Sequence, residues 1–314
     1  MALPVVEAVE TDLFEVSVPV ATLWSSPEAS REVDRDAVLD HPDLAAWTAS
    51  MDAATRKGLD GRTLTQLLMG EGVQVVEERG DWVRVRALLQ PSSQDPDGYP
   101  GWMRRSHLGA PVARTVGPTA FVMSPVAVLQ MDDGTKADLS SGTGFWVDEV
   151  GEDSVRVCLP GDRSGTVPLP TVRLSDKRRQ PSFVPRDLLG YARQFVGLRY
   201  LWGGTSAWGL DCSGLVHLTY RAQGVVVPRD ASDQADEVDP VPLDQVQPGD
   251  LYFFARPDEK VYHVGFATSP LAEDGTRTML HAPESGELIE DAPLAPHRVK
   301  TLVSAGRIRD TREY

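Results

Sequence analysis

Apolar and polar residues alternate with a period of two through much of the first half of this 314-residue chain. That pattern marks strands with one buried face. It runs through residues 14–18, 73–77 and 82–86, and Glu78-Arg79-Gly80-Asp81 joins the last two as a short polar turn that closes a hairpin. A polar insert at about 25–64 separates the first strand from the hairpin, and its stretch 44–51 has the spacing of a short helix. The texture then repeats. Residues 145–149 and 155–159 flank Gly151-Glu152-Asp153-Ser154, and the two hairpins align loosely, VQVVEERGDWVRVRALL against FWVDEVGEDSVRVCLP. This reads as two copies of a small β-barrel. Cys158 lies in the second hairpin, in an alternating strand, and is expected in the core.

Beyond a polar linker, Lys177-Arg178-Arg179-Gln180-Pro181, the period changes. Leu188, Leu189, Ala192, Phe195 and Val196 are spaced for one helix face, and Gly197 follows as a stop signal. A Gly-rich loop leads to a second helix, from Cys212 to Gly224, and strands are expected at 251–254, 263–267, 278–281 and 302–308. Helices first and a run of strands after predict an α+β domain. The expected domains are therefore 1–112 with its insert, 113–178, and 182–314.

Composition narrows the function. The chain is 41% hydrophobic and 25% charged, an ordinary globular balance, and its formal net charge is -15. Residues 186–314 carry 13 Lys+Arg against 19 Asp+Glu, so both halves are acidic. With no basic patch, nucleic acid and anionic membrane are excluded as partners. Two cysteines make neither a disulfide framework nor a Cys-rich zinc site, so no metal or cofactor is called for. No apolar run approaches the roughly 18 residues that would span a membrane. The start, MALPVVEAVETDLFEV, has no basic or long apolar segment of a secretory signal, and a cytoplasmic location is expected.

The densest chemical signal is RYLWGGTSAWGLDCSGLV at 199–216. Cys212 opens a helix there, where unpaired N–H groups and the helix dipole favour thiolate over thiol and can hold an oxyanion. A thiolate nucleophile needs a base, usually His. His263 opens His-Val-Gly-Phe on one expected strand, and His281 ends the next in Met-Leu-His-Ala-Pro. Adjacent antiparallel strands would bring the two imidazoles together, one to pair with Cys212 and the other to orient it. His217 lies five positions past Cys212, on the wrong helix face, while His41, His107 and His297 fall in loop-like, surface contexts.

These motifs, DCSGLV with the preceding YLWGG, then HVG and HAP in that order, resemble the NlpC family of papain-like cell-wall peptidases over about 186–314. Most of the chain resembles the subgroup in which two bacterial SH3-like barrels precede an α+β papain-like catalytic domain. The resemblance implies a cysteine peptidase of murein recycling. It would hydrolyse the γ-D-glutamyl–diamino acid bond of small muropeptides with a free N-terminal L-Ala and release L-Ala-γ-D-Glu. It assigns Cys212 as nucleophile, His263 as base and His281 as the orienting third residue.

A free amine buried in a closed pocket needs a carboxylate. Asp230 matches the subgroup's amine-binding position, and it is equally placed to cap a helix at Ala231–Glu237. Arg229 beside it would take a substrate carboxylate. Glu71 and Tyr99 of the first barrel are candidates for closing the pocket, or else a turn residue and a packing residue. Asp211 and Ser213 flank the cysteine, and Tyr200 and Trp202 are candidates for walling the cleft. Ala231 stands where a hydroxyl is expected, with Ser232 as a substitute. The rival readings are a secreted autolysin acting on intact wall, a non-catalytic peptide-binding protein, and a different thiol chemistry on a shared fold.

Overall fold

The computed structural model describes residues 13–113, 117–176 and 185–308; the linker at 177–181 lies outside them. Leu13–Val16, Val20–Trp24, Thr63–Leu68, Gly72–Arg79, Trp82–Ala87, Tyr99–Arg104 and Leu108–Gly109 form the antiparallel sheet of the first barrel. The second barrel has Pro118–Val122, Val126–Met131, Lys136–Ser140, Gly144–Val150, Ser154–Leu159, Arg163–Pro168 and Val172–Asp176. Counted from one to seven, the strands of both sheets follow the order 3-2-6-5-4-1-7. The likeness extends to a bulge. Register slips between Val75 and Glu77 in one hairpin and between Val147 and Glu149 in the other. The extra residue of a bulge leaves the alternation, which explains why Val76 is 41% exposed beside buried Val75.

Alternation in Ser154–Leu159 turns Val155, Val157 and Leu159 inward. Cys158 therefore sits on the outward face and is only half-buried, not in the core as its apolar setting suggested.

The insert is ordered and less polar in effect than in composition. It holds a 3-10 turn at Glu32–Ala37 and two short helices, Leu44–Ser50 and Ala53–Lys57. Asp43 and Asp52 cap these helices, accepting from the backbone N–H of Ala46 and Thr55. Trp47 is fully buried, and its indole N–H donates to Asp34 at 2.9 Å. Ala37, Leu44, Trp47, Met51 and Leu59 join Leu215, Phe253 and Phe266 of the third domain in one continuous apolar core. The insert thus glues the first barrel to the third domain.

That domain packs helix Pro185–Arg193 on helix Cys212–Ala222, against a six-stranded antiparallel sheet. Its strands run in the order Asp239–Val241, Leu302–Arg307, Leu251–Ala255, Val261–Ala267, Thr278–His281, Glu290–Pro293. The first helix ends at Arg193, earlier than its apolar spacing suggested. Phe195 still reaches the core, but Val196 turns out to 48% exposure. Among the described residues, no helix is long and apolar enough to cross a membrane.

Candidate active site

Two glycines let the site close. Gly214, on the first turn of the cysteine helix, carries no side chain because a β-carbon there would collide with the Gly204 carbonyl. Gly265 makes room on its strand, where a β-carbon would lie 2.8 Å from Cβ of His281. Asp211 caps the cysteine helix through the Gly214 N–H at 2.7 Å, and its other oxygen accepts from the Gly203 N–H at 2.9 Å. The Gly-rich loop is thereby tied to the helix N-terminus, with Cys212 as the first helical residue.

Cys212, His263, Tyr200 and Trp202 line one cavity of about 440 Å³. His263 Nε2 lies 2.8 Å from His281 Nδ1, with the two rings nearly perpendicular at 82°. His281 is paired in register with Glu290 on the edge strand, and its Nε2 is 3.4 Å from the Glu290 carboxylate. With the His281 proton on Nε2, toward Glu290, Nδ1 would accept from His263 Nε2–H and leave the His263 Nδ1 lone pair free.

Burial works against the expected thiolate. Burial, followed by the negative charge of Asp211, pushes the Cys212 thiol up to about 11, against the Val264 and Ser213 N–H groups, which favour the anion. Burial, then the positive charge of Arg298, holds His263 well below its usual value, and the same causes in the same order take His281 to about 3. Burial thus favours the neutral thiol and the neutral imidazoles over their charged forms. Desolvation outweighs the helix terminus.

The other candidates divide. Asp230 precedes the helix Ala231–Glu237 but makes no capping bond. Its carboxylate instead receives the Tyr99 hydroxyl at 3.1–3.2 Å and Gln94 Nε2 at 3.4 Å. Burial raises the pKa of Asp230, opposed by Arg229 and by the Tyr99 hydrogen bond. Tyr99 is raised too, by burial and then by Asp230. The barrel loop that leads into the Tyr99 strand is pinned to the third domain. Arg229 N–H donates to the Pro91 carbonyl, and Ser93 donates twice to Asp233.

Arg229 is not available to a substrate. Its guanidinium is fully buried and forks onto both oxygens of Asp211 at 3.0 and 2.6 Å, with further bonds to Ser213 and Thr65. Ser213 and Asp211 are thereby occupied as its partners. Glu71 does not face the cleft. It is 1% exposed, accepts the Leu68 N–H and forms a buried ion pair with Arg221 at the far end of the cysteine helix. Ser232 turns its hydroxyl to Asp233 at 3.4 Å. His217 hydrogen-bonds the Val227 carbonyl, away from Cys212, and His107 is buried against the Leu39 carbonyl rather than lying on the surface. Sequence reasoning missed Glu290, Gln94 and Arg298, because a lone acid, amide or arginine outside a motif carries no signal until the strands are paired.

A buried thiol beside a base with an orienting third group, on an α+β domain of this topology, defines a papain-like thiol hydrolase. The sequence profile of the NlpC/P60 family matches residues 197–307, and that of the bacterial dipeptidyl-peptidase SH3 domain matches residues 56–108. A "Gamma-D-glutamyl-L-lysine dipeptidyl-peptidase" of Bacillus cereus is 32% identical over 93% of this chain and 90% of its own length. A Bacillus subtilis protein of the same name is 35% identical over 86% of this chain and 90% of its own. A crystal structure of an NlpC/P60 family protein from Bacillus cereus superposes with a TM-score of 0.89 at 30% identity, covering 94% of this chain and 99% of that one. The chain belongs to the NlpC/P60 family, and it is a cysteine peptidase acting on peptidoglycan-derived peptides.

Proposed function

We propose that the enzyme hydrolyses the γ-D-glutamyl–diamino acid bond of small wall-derived peptides with a free N-terminal L-Ala, releasing L-Ala-γ-D-Glu. Cys212 Sγ attacks the γ-carbonyl while His263 Nδ1 takes the thiol proton. N–H groups at the helix terminus hold the oxyanion. The C–N bond then breaks as His263 returns the proton to the leaving amine. Water, deprotonated by His263, hydrolyses the thioester. His281, braced by Glu290, keeps His263 in the tautomer that does this.

One observation carries the choice of substrate: the Asp230 carboxylate is withheld from its own helix and presented with Tyr99 across a domain junction. A desolvated acid whose remaining partners are a hydroxyl and an amide suits an ammonium group. It lies next to Arg229, which grips the residues on both sides of Cys212. The names of the two relatives agree with this reading. A wall built from two domains favours short, soluble fragments over intact wall, which fits recycling in the cytoplasm.

The test is a mass-spectrometric digest of L-Ala-γ-D-Glu-L-Lys and its diaminopimelate counterpart, beside the N-acetylated peptides and intact sacculi. Cleavage confined to the free-amine peptides is expected. Equal cleavage of blocked peptides or sacculi would overturn the reading in favour of an autolysin.

A further inference from the structure

One buried cation at the cleft has no anion to match it. Arg298 lies in the short helix Pro296–Thr301, is 5% exposed, and borders both the cavity of Cys212 and a second one of about 610 Å³ beyond His281. Its Nη1 donates to the Tyr262 hydroxyl at 3.2 Å and its Nη2 to the Pro283 carbonyl at 3.0 Å, while Nε has no partner. Among the described residues no carboxylate pairs with it. The rings of Tyr262 and Phe254 lie 5.5 and 5.8 Å from the guanidinium carbon and soften the charge without cancelling it.

Arg229 and Arg221, as deeply buried, each have an acid. Arg56 has none, but it lies outside the Cys212 cavity and is spent on the Tyr200 and Thr48 carbonyls. A desolvated cation left without a counter-ion is costly unless a ligand supplies the anion.

The two sides of the cleft are distinct. Asp230 and Tyr99 are tied to the Cys212 side through Arg229 and Asp211. Arg298 is on the His263 side, since Phe254 and Tyr262, whose rings it approaches, also flank the His263 ring. If the amine end of the peptide occupies the first side, the leaving residue occupies the second. Its nitrogen must take a proton from His263, and its α-carboxyl carbon is two bonds from that nitrogen, roughly 2.5 Å away.

We infer that Arg298 binds the free α-carboxylate of the leaving diamino acid, so that the enzyme selects peptides ending at that residue. This rests on the proposed γ-D-glutamyl cleavage. It also supplies the local positive group that an anionic peptide needs on an acidic protein. Once the carboxylate is bound, the positive charge that disfavours protonation of His263 is neutralised at the moment the proton is transferred.

The test compares kcat/KM for L-Ala-γ-D-Glu-L-Lys, the same peptide as its C-terminal amide, and the C-terminal acid carrying an α-carboxamide on the D-glutamyl residue. The wild-type enzyme should prefer the lysine acid over the amide by roughly 10- to 100-fold, the worth of one charged hydrogen-bonded pair. In Arg298→Gln the ratio should fall to within about threefold, and Arg298→Lys should keep part of it. Because Arg298 also anchors Pro283, the wild-type ratio and stronger product inhibition by L-lysine than by lysinamide decide the matter if Arg298→Gln does not fold. No preference in a wild-type enzyme that cleaves the acid overturns the inference alone. So does a preference lost only on amidating the D-glutamyl carboxylate, which would give Arg298 to that group. Failure to cleave any of the three overturns the proposed function, and this inference with it.

Discussion

Replacing Asp230 with Asn separates binding from folding. The carboxylate receives two donors, Tyr99 and Gln94, and its pKa is raised chiefly by burial. A raised folded-state pKa means the folded protein disfavours the charged form. This group's effect on stability is therefore most favourable below the unfolded carboxyl value and is lost as pH rises through the folded one. At neutral pH Asp230⁻ is a net burden on the fold, and Asp230→Asn should melt no lower than wild type. Binding should behave in the opposite way. Removing the charged partner of a desolvated ammonium costs about 2–4 kcal/mol, or roughly 30- to 1000-fold in kcat/KM. The assay is steady-state hydrolysis of L-Ala-γ-D-Glu-L-Lys at pH 7, with thermal denaturation alongside. A lower melting temperature with a small kinetic loss would refute the reasoning and return Asp230 to a structural role.

Other substitutions probe the rest of the site. Cys212→Ala should abolish turnover without changing the circular dichroism spectrum; hydrolysis at the wild-type rate would remove the nucleophile assignment. With the thiol pushed up to about 11 and the imidazoles neutral, alkylation by iodoacetamide should rise about tenfold per pH unit from 6 to 9. A plateau below pH 8 would show a resting thiolate–imidazolium pair instead. Arg229→Met strands Asp211 in a buried site and should cost about 3–5 kcal/mol in chemical denaturation, whereas a change confined to KM would mean Arg229 does meet the substrate. Glu290→Ala should lower kcat with KM little changed, because it frees the second nitrogen of His281; equal effects on both would show that the edge strand, not the tautomer, was disturbed.

What could be read from the chain follows from how local each signal is. The hairpins at Gly80 and Gly151 show themselves by alternation, and the cysteine helix by its cap and apolar face. Cys212, His263 and His281 lie within short motifs on adjacent elements, so their convergence needs only that neighbouring strands pair. The failures are non-local. Nothing in the sequence says which acid an arginine will meet when both are buried, so Arg229 was offered to a substrate when it belongs to Asp211, and Glu71 to a pocket when it belongs to Arg221. The short helix at 44–51 was legible, but its partner was not, since Leu44, Trp47 and Met51 pack into a core shared with residues far along the chain. Cys158 shares the outward face with Ser154 and Arg156, so the alternation of the strand, and not the apolar character of the residue, decided its side.

The division of labour between domains has a consequence for selectivity. Thiol, base and orienting histidine all come from the third domain, but Tyr99 comes from the first barrel. The loop that precedes Tyr99 is held by Ser93 on Asp233 and by Pro91 on Arg229. The same junction buries Trp24, Trp47 and Leu68 against the core behind Cys212 and seals Glu71 with Arg221. Most of these contacts are apolar or fully buried, so the junction is a stable fixture and not a hinge. On the proposed reading, the preference for a free amine follows from that packing. Loosening the barrel would leave the catalytic chemistry assembled and remove the wall that limits which peptides reach it. The junction that stabilises the fold thus also sets the length of peptide accepted on the amine side, and Arg298 sets it on the other.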